Sequence, residues 1–167
     1  MSEIKQQRIS SEHSADDIWQ AINTPLMDPE IGRLVNPYVE ISYKGLRSIH
    51  SLLCEGARII YEPNLDELEP VLGMAAAMLP KDIELRVADH DSENKVRVDV
   101  LESEKHSGTI QHRVEEVDGA GILIVEGELS LGGSKRMFED TIASYAEQGL
   151  VAHSQRILDN LPAVLGQ

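Results

Sequence analysis

The sequence of 167 residues predicts one α+β domain, residues 1–167, built from an antiparallel meander and a long C-terminal helix. Three patterns carry that prediction. Residues 83–131 alternate apolar and polar side chains in segments separated by turn formers, the pattern of strands with one covered face. Residues 134–161 contain no proline and are dominated by good helix formers. Near the other end, Ser14 and Asp17 have the Ser-x-x-Asp spacing of a capping box and open an amphipathic segment.

In chain order, "EIKQQRISS" reads as an edge or half-exposed strand, although Ile4 and Ile9 have opposite parity. The capped helix that follows places Ile18, Trp19 and Ile22 on one face. Pro25 and Pro29 interrupt the chain and leave room for a second short helix at "DPEIGRL" before Pro37. "YVEISYK" alternates, with Val39, Ile41 and Tyr43 on the covered side. Residues 47–63 carry apolar runs and read as one or two strands broken at Gly56. Between Pro63 and Pro80 the spacing of Val71, Leu72, Ala75, Ala76 and Leu79 predicts a helix with Pro70 in its first turn.

The meander then begins. "DIELRVAD" sets Ile83, Leu85 and Val87 on one face, and "KVRVDVLE" does the same with Val96, Val98 and Val100. "GTIQHRVEEV" aligns Ile110, His112 and Val114, "DGAG" supplies a hairpin turn, and "ILIVEGELSL" aligns Leu123, Val125, Leu129 and Leu131. On the terminal helix Phe138, Ile142 and Tyr145 share a stripe that Gly149 continues. A helical glycine costs about 1 kcal/mol relative to alanine, so on an inward face it implies close packing, a kink or space left open.

Composition narrows the function. Twenty-nine acidic against fifteen basic residues give a formal charge of −14, which repels nucleic acid and anionic lipid headgroups and leaves a basic protein partner open. Cys54 is the single cysteine, so no intramolecular disulfide is expected and its setting between leucines and Glu55 reads as an inert thiol. No apolar run approaches the ~20 residues of a membrane span, and a cytoplasmic protein is expected. The histidines lack metal-ligand spacing, "DHDSEN" is only part of a calcium loop, and "GAGIL" and "LGGSK" lack phosphate-loop spacing. No metal and no cofactor is expected.

Strand, capped Trp-bearing helix, second helix, meander and long final helix together resemble the START-like superfamily, also called SRPBCC, Bet v 1-like or polyketide cyclase-like. "SADDIWQAI" is similar to its first helix, and residues 108–158 are similar to its last hairpin and closing helix. "GGSKRMFED" resembles a branch in which a Gly-Gly pair leads into that helix. The resemblance implies a helix-grip fold, a curved antiparallel sheet wrapped around a long C-terminal helix with short N-terminal helices. It also implies binding of a hydrophobic or amphipathic small molecule, such as a lipid, sterol or polyketide, in an internal cavity by a carrier or sensor. Cyclase and aromatase enzymes use the same fold, and an acidic interaction module is a further alternative. The resemblance brings no catalytic residue with it.

On this plan the cavity is expected to be lined from the sheet by Ile83, Leu85, Val98, Val100, Ile110, His112, Val114, Leu123, Val125 and Leu129. Met74 and Met78 would contribute from the middle helix, and Phe138, Ile142, Tyr145 and Gly149 from the terminal one. An apolar stripe is equally compatible with a filled core, but one phenylalanine and 4 % aromatic residues leave few bulky fillers. His112 is the polar residue that parity turns inward, with Tyr145 as a second hydroxyl.

Overall fold

The computed structural model describes residues 1–167, apart from the side chains of Ala75 and Met78. Alternation is realised as seven strands: β1 (Ser2–Ser10), β2 (Val39–Lys44), β3 (Arg58–Pro63), β4 (Ile83–Asp91), β5 (Val96–Glu102), β6 (Ser107–Val117) and β7 (Ala120–Ser130). They form one antiparallel sheet in the order β1-β7-β6-β5-β4-β3-β2. Sequence neighbours therefore pair from β2 to β7, and β1 closes against β7.

The helices are α1 (Ala15–Asn23), α2 (Pro29–Val35), α3 (Leu65–Leu72), α4 (Glu139–Asp159) and α5 (Leu161–Val164). Ser14 caps α1 as the sequence requires, its hydroxyl oxygen accepting from the Asp17 N–H at 3.1 Å. Ile18, Trp19 and Ile22 are then buried against Leu123, Val125 and the far end of the chain at Ile157, Leu158 and Leu161. Asp28 caps α2 from the residue before Pro29. The β6–β7 hairpin turns at Asp118 and Gly119, both with positive φ, the geometry of a primed two-residue turn. α4 lies along β1 and satisfies part of that exposed edge: Glu147 accepts from the Lys5 backbone N–H at 2.9 Å. At its start, Glu139 accepts from the Leu131 N–H at 2.8 Å. That bond, with those from the Met1 ammonium and the Ser2 hydroxyl, lowers its carboxyl to about 2.

Three expectations are corrected. Residues 45–57 form a loop, not a strand, because Leu53 turns inward and donates its N–H to the Asn23 carbonyl at 2.7 Å. The helix of the middle segment starts at Leu65, so Pro70 sits inside it; α3 ends two residues later, and Gly73–Met78 is a 3-10 turn. The long final helix is divided: Gly133–Phe138 is a 3-10 turn, α4 is 21 residues long, and Asn160 breaks it from α5.

Gly149 is also corrected, because it faces solvent, with no atom within 4 Å of where a Cβ would stand. The covered stripe of α4 runs through Ala143, Ser154 and Ile157, about a third of a turn from the one through Phe138, Ile142 and Gly149 at ~100° per residue. Gly121 is the opposite case. A Cβ there would meet Ile18 Cδ1 and the Ala15 backbone nitrogen at 3.0 Å, since α1 lies directly on the β7 backbone. Urea denaturation is therefore expected to show Gly149→Ala stabilised by about 0.5–1 kcal/mol. The same measurement on Gly121→Ala should show a loss of about 1–3 kcal/mol from overpacking.

Candidate ligand cup

Register sorts the concave face of the sheet into rows. The row nearest the α3 end crosses Ile41, Tyr61 and Ile83, and the one below it crosses Tyr43, Ile59, Leu85 and Leu101 and continues to Gly108 and Leu129. The next crosses Val87, Asp99, Ile110 and Gly127. A bulge between Val87 and Asp89 then shifts β4, and the row after it is His90, Arg97, His112 and Val125. Val114, Leu123 and Ile9 form the deepest row.

The cause is the parity of β5. Arg97 and Asp99 face inward, 4 % and 1 % exposed, while Val96, Val98 and Val100 are half-buried on the convex face. Val98 and Val100 therefore do not line the interior. The valines shared a parity that apolar alternation assigns to the core, but an arginine and an aspartate two residues apart share a face too and neutralise each other there. Arg97 Nε lies 3.1 Å and 3.2 Å from the two Asp99 oxygens, and Nη2 lies 3.0 Å from Oδ2. Its Nη1 donates to the Ile22 carbonyl and to Asn23 Oδ1 at 3.2 Å. The guanidinium thus closes the end of α1 onto the sheet. Asn23, fully buried, passes its amide to the Trp19 carbonyl at 2.7 Å and accepts from His90 Nε2 at 3.2 Å. The His90 ring stands 5.1 Å from that of Trp19.

Around this pair every ionisable ring is held neutral. Burial, then the Arg97 charge, then His153, push His112 well below the ordinary imidazole range. Burial first and Arg97 second lower His153 to about 4, and the same two causes lower His90. Burial raises Tyr43, whose hydroxyl accepts from the Leu26 N–H at 3.0 Å. Burial also raises Tyr61, with the Asp99 charge adding to it. His112 Nδ1 is 3.9 Å from Asp99 Oδ2 and makes no hydrogen bond.

Space is unevenly distributed. Among Ile22, Leu26, Tyr43, Tyr61, Arg97 and His153 only a cavity of about 20 Å³ remains, room for a single water. The deep rows are closed. Toward α3, in contrast, the inward residues Ile83, Leu101, Ile110 and Leu129 are half-buried, as are Phe138, Ile142 and Tyr145 across from them on the terminal segment. This inward face forms the cup of the candidate site: its deep rows are filled, and its apolar side chains toward α3 are half-buried.

Of the residues expected to line it, Leu85, His112, Val114, Leu123 and Val125 are buried on the concave face. Ile83, Ile110, Leu129, Phe138, Ile142 and Tyr145 are half-buried. Met74 is 91 % exposed on the outside of its turn and is corrected as a lining residue, as are Val98, Val100 and Gly149. The side chain of Met78 lies outside the described residues. Arg97, Asp99, His153 and Tyr61 escaped the sequence reading, and Tyr43 was read as covered but not as part of the site; the signal for the first two was their shared parity and opposite charge.

The histidines make a pH prediction. A ring whose folded pKa lies below the unfolded value near 6.5 binds its proton more readily when unfolded. Stability is therefore whole above about pH 6.5 and is lost as the pH falls through that value toward the folded pKa, about 4 for His153. Urea midpoints measured from pH 7.5 to 4.5 should fall, and less steeply in His153→Gln.

No protein-family model matches the sequence, and no curated protein matches it. Solved structures do match in shape. Ara h 8.0201 superposes with a TM-score of 0.65 at 11 % identity, covering 99 % of both chains. Truncated norcoclaurine synthase from Thalictrum flavum gives 0.66 at 14 % identity, over 99 % of this chain and 94 % of the other. TTHA0849 from Thermus thermophilus gives 0.64 at 9 % identity, over 97 % and 98 %. With the sheet order and the divided terminal helix already placed, the chain has the helix-grip fold of these Bet v 1-like structures.

Proposed function

We propose that the protein is a carrier or sensor that binds an amphipathic small molecule non-covalently at the α3 end of the cup. One observation carries this reading: the inward sheet residues Ile83, Ile110 and Leu129 stay half-buried at the α3 end, whereas the same strands are closed deeper. A guest that covers them gains about 25 cal/mol per Å² of apolar surface removed from water. The α3 segment is itself apolar and uncovered, with Leu65, Val71 and Met74 exposed on α3 and the turn after it. A polyketide, sterol or lipid portion fits this chemistry, and the fold supports it, since norcoclaurine synthase has been solved with dopamine and hydroxybenzaldehyde bound.

Binding is preferred to cyclase-type catalysis on the chemistry of His112. Its ring is the inward titratable group closest to the role of a base, but Asp99 is committed to Arg97 and Nδ1 has no partner to relay a proton. Titration with N-phenyl-1-naphthylamine, an uncharged fluorescent probe, tests the reading. Saturable binding at one site is expected, weakened at least tenfold in Ile110→Gln and in Ile142→Gln. Absent saturation, or equal affinity in both variants, would remove the cup as a binding site.

A further inference from the structure

The two edges of the sheet are built differently. β1 carries a bulge between Ile4 and Gln7 and has α4 beside it, with Glu147 accepting from the Lys5 N–H, two devices that blunt an edge. β2, the other edge, has neither: its register with β3 runs unbroken from Val39 to Lys44. Asn64 donates its N–H to the Tyr38 carbonyl at 2.8 Å, and Val39 lies opposite Pro63, which has no N–H to give. Hydrogen bonding to β3 therefore falls on Glu40, Ser42 and Lys44, and Val39, Ile41 and Tyr43 turn their N–H and carbonyl groups away from the sheet. Among the described residues, none of these outward groups has a hydrogen-bond partner.

The side chains add a second pattern. Glu40, Ser42 and Lys44 are exposed on the convex face. Glu40 and Lys44 make no ion pair among the described residues, and Glu84, which feels the Lys44 charge, is paired with Arg58 at 2.6 Å. Turned about a two-fold axis at Ser42, the strand complements itself: Glu40 falls opposite Lys44 of a second copy, Lys44 opposite its Glu40, and Ile41 opposite its Tyr43. An axis at Ile41 or at Tyr43 would set both charges opposite uncharged residues.

We propose that β2 is the docking edge for a second copy of this chain, paired antiparallel and centred on Ser42, so that one sheet runs through both molecules. Ile41 and Tyr43 then exchange their outward N–H and carbonyl groups with Tyr43 and Ile41 of the second copy. The Glu40–Lys44 pairs occupy the non-hydrogen-bonded positions, where facing side chains stand closest. So short a strand makes a weak, reversible dimer.

Sedimentation velocity of the full chain from about 5 to 500 µM at low salt is expected to show a monomer–dimer equilibrium, which about 0.5 M NaCl weakens by screening the pairs. Glu40→Lys and Lys44→Glu should each weaken self-association at least about tenfold, because each sets like charges opposite one another. An equimolar mixture of the two variants restores both pairs and should associate as tightly as the unsubstituted chain, as should the chain carrying both substitutions. A monomer throughout the range, self-association that either variant leaves intact, or a mixture that stays monomeric would overturn the inference. The first of these would leave the edge to an extended segment of another protein. Neither substitution changes a side chain of the cup, so the ligand reading is tested separately.

Discussion

A guanidinium enclosed between a sheet and two helices must be neutralised where it stands, and the ion pair of Arg97 with Asp99 does so within one strand. Two residues apart on β5, the partners need no distant element to meet, and what remains of the guanidinium fork reaches the Ile22 carbonyl and the Asn23 side chain at the end of α1. Removing one partner of such a pair costs about 3–5 kcal/mol, far more than the net worth of the pair itself. The register of β5, the seat of α1 and the polarity of the cup's base therefore rest on the same contact. Trp19 belongs to this arrangement, since Asn23 and His90 link its backbone and ring to the guanidinium.

The interior and the surface follow different electrostatic rules. Outside, the acidic excess is solvated and broken by exposed pairs such as Arg58 with Glu84 and Arg86 with Glu102, which contribute little each. Inside, a single cation and a single anion cancel, and burial strips the surrounding imidazoles and phenols of charge. The result is a polar floor without net charge beneath half-buried apolar side chains.

How much of this the sequence discloses depends on the kind of pattern. The α1 cap, the β6–β7 turn and the meander are local, set by residues three or four apart, and were legible. The parity of β5 was not, because either face of "KVRVDVLE" can be buried: valines without a partner, or charges that satisfy each other. The choice is made by α1, more than seventy residues earlier in the chain. The inward stripe of α4 was missed by about a third of a turn for a related reason, since the apolar Phe138 and Ile142 are only half-buried while Ser154 is buried among the core. Loop 45–57 is held by one non-local bond from Leu53 to Asn23, which no periodicity announces.

The pairing of β1 with β7 has a consequence for how the molecule is made. Ser2 lies opposite Leu129 and Ile9 opposite Leu123, so β1 has no neighbour in the sheet until β7 has left the ribosome. Closure over so long a stretch of chain is entropically slow. Until it happens, the edge of β1 and the apolar face of α1 stay open to other chains, which makes nascent protein, rather than the finished domain, the state most in need of a chaperone.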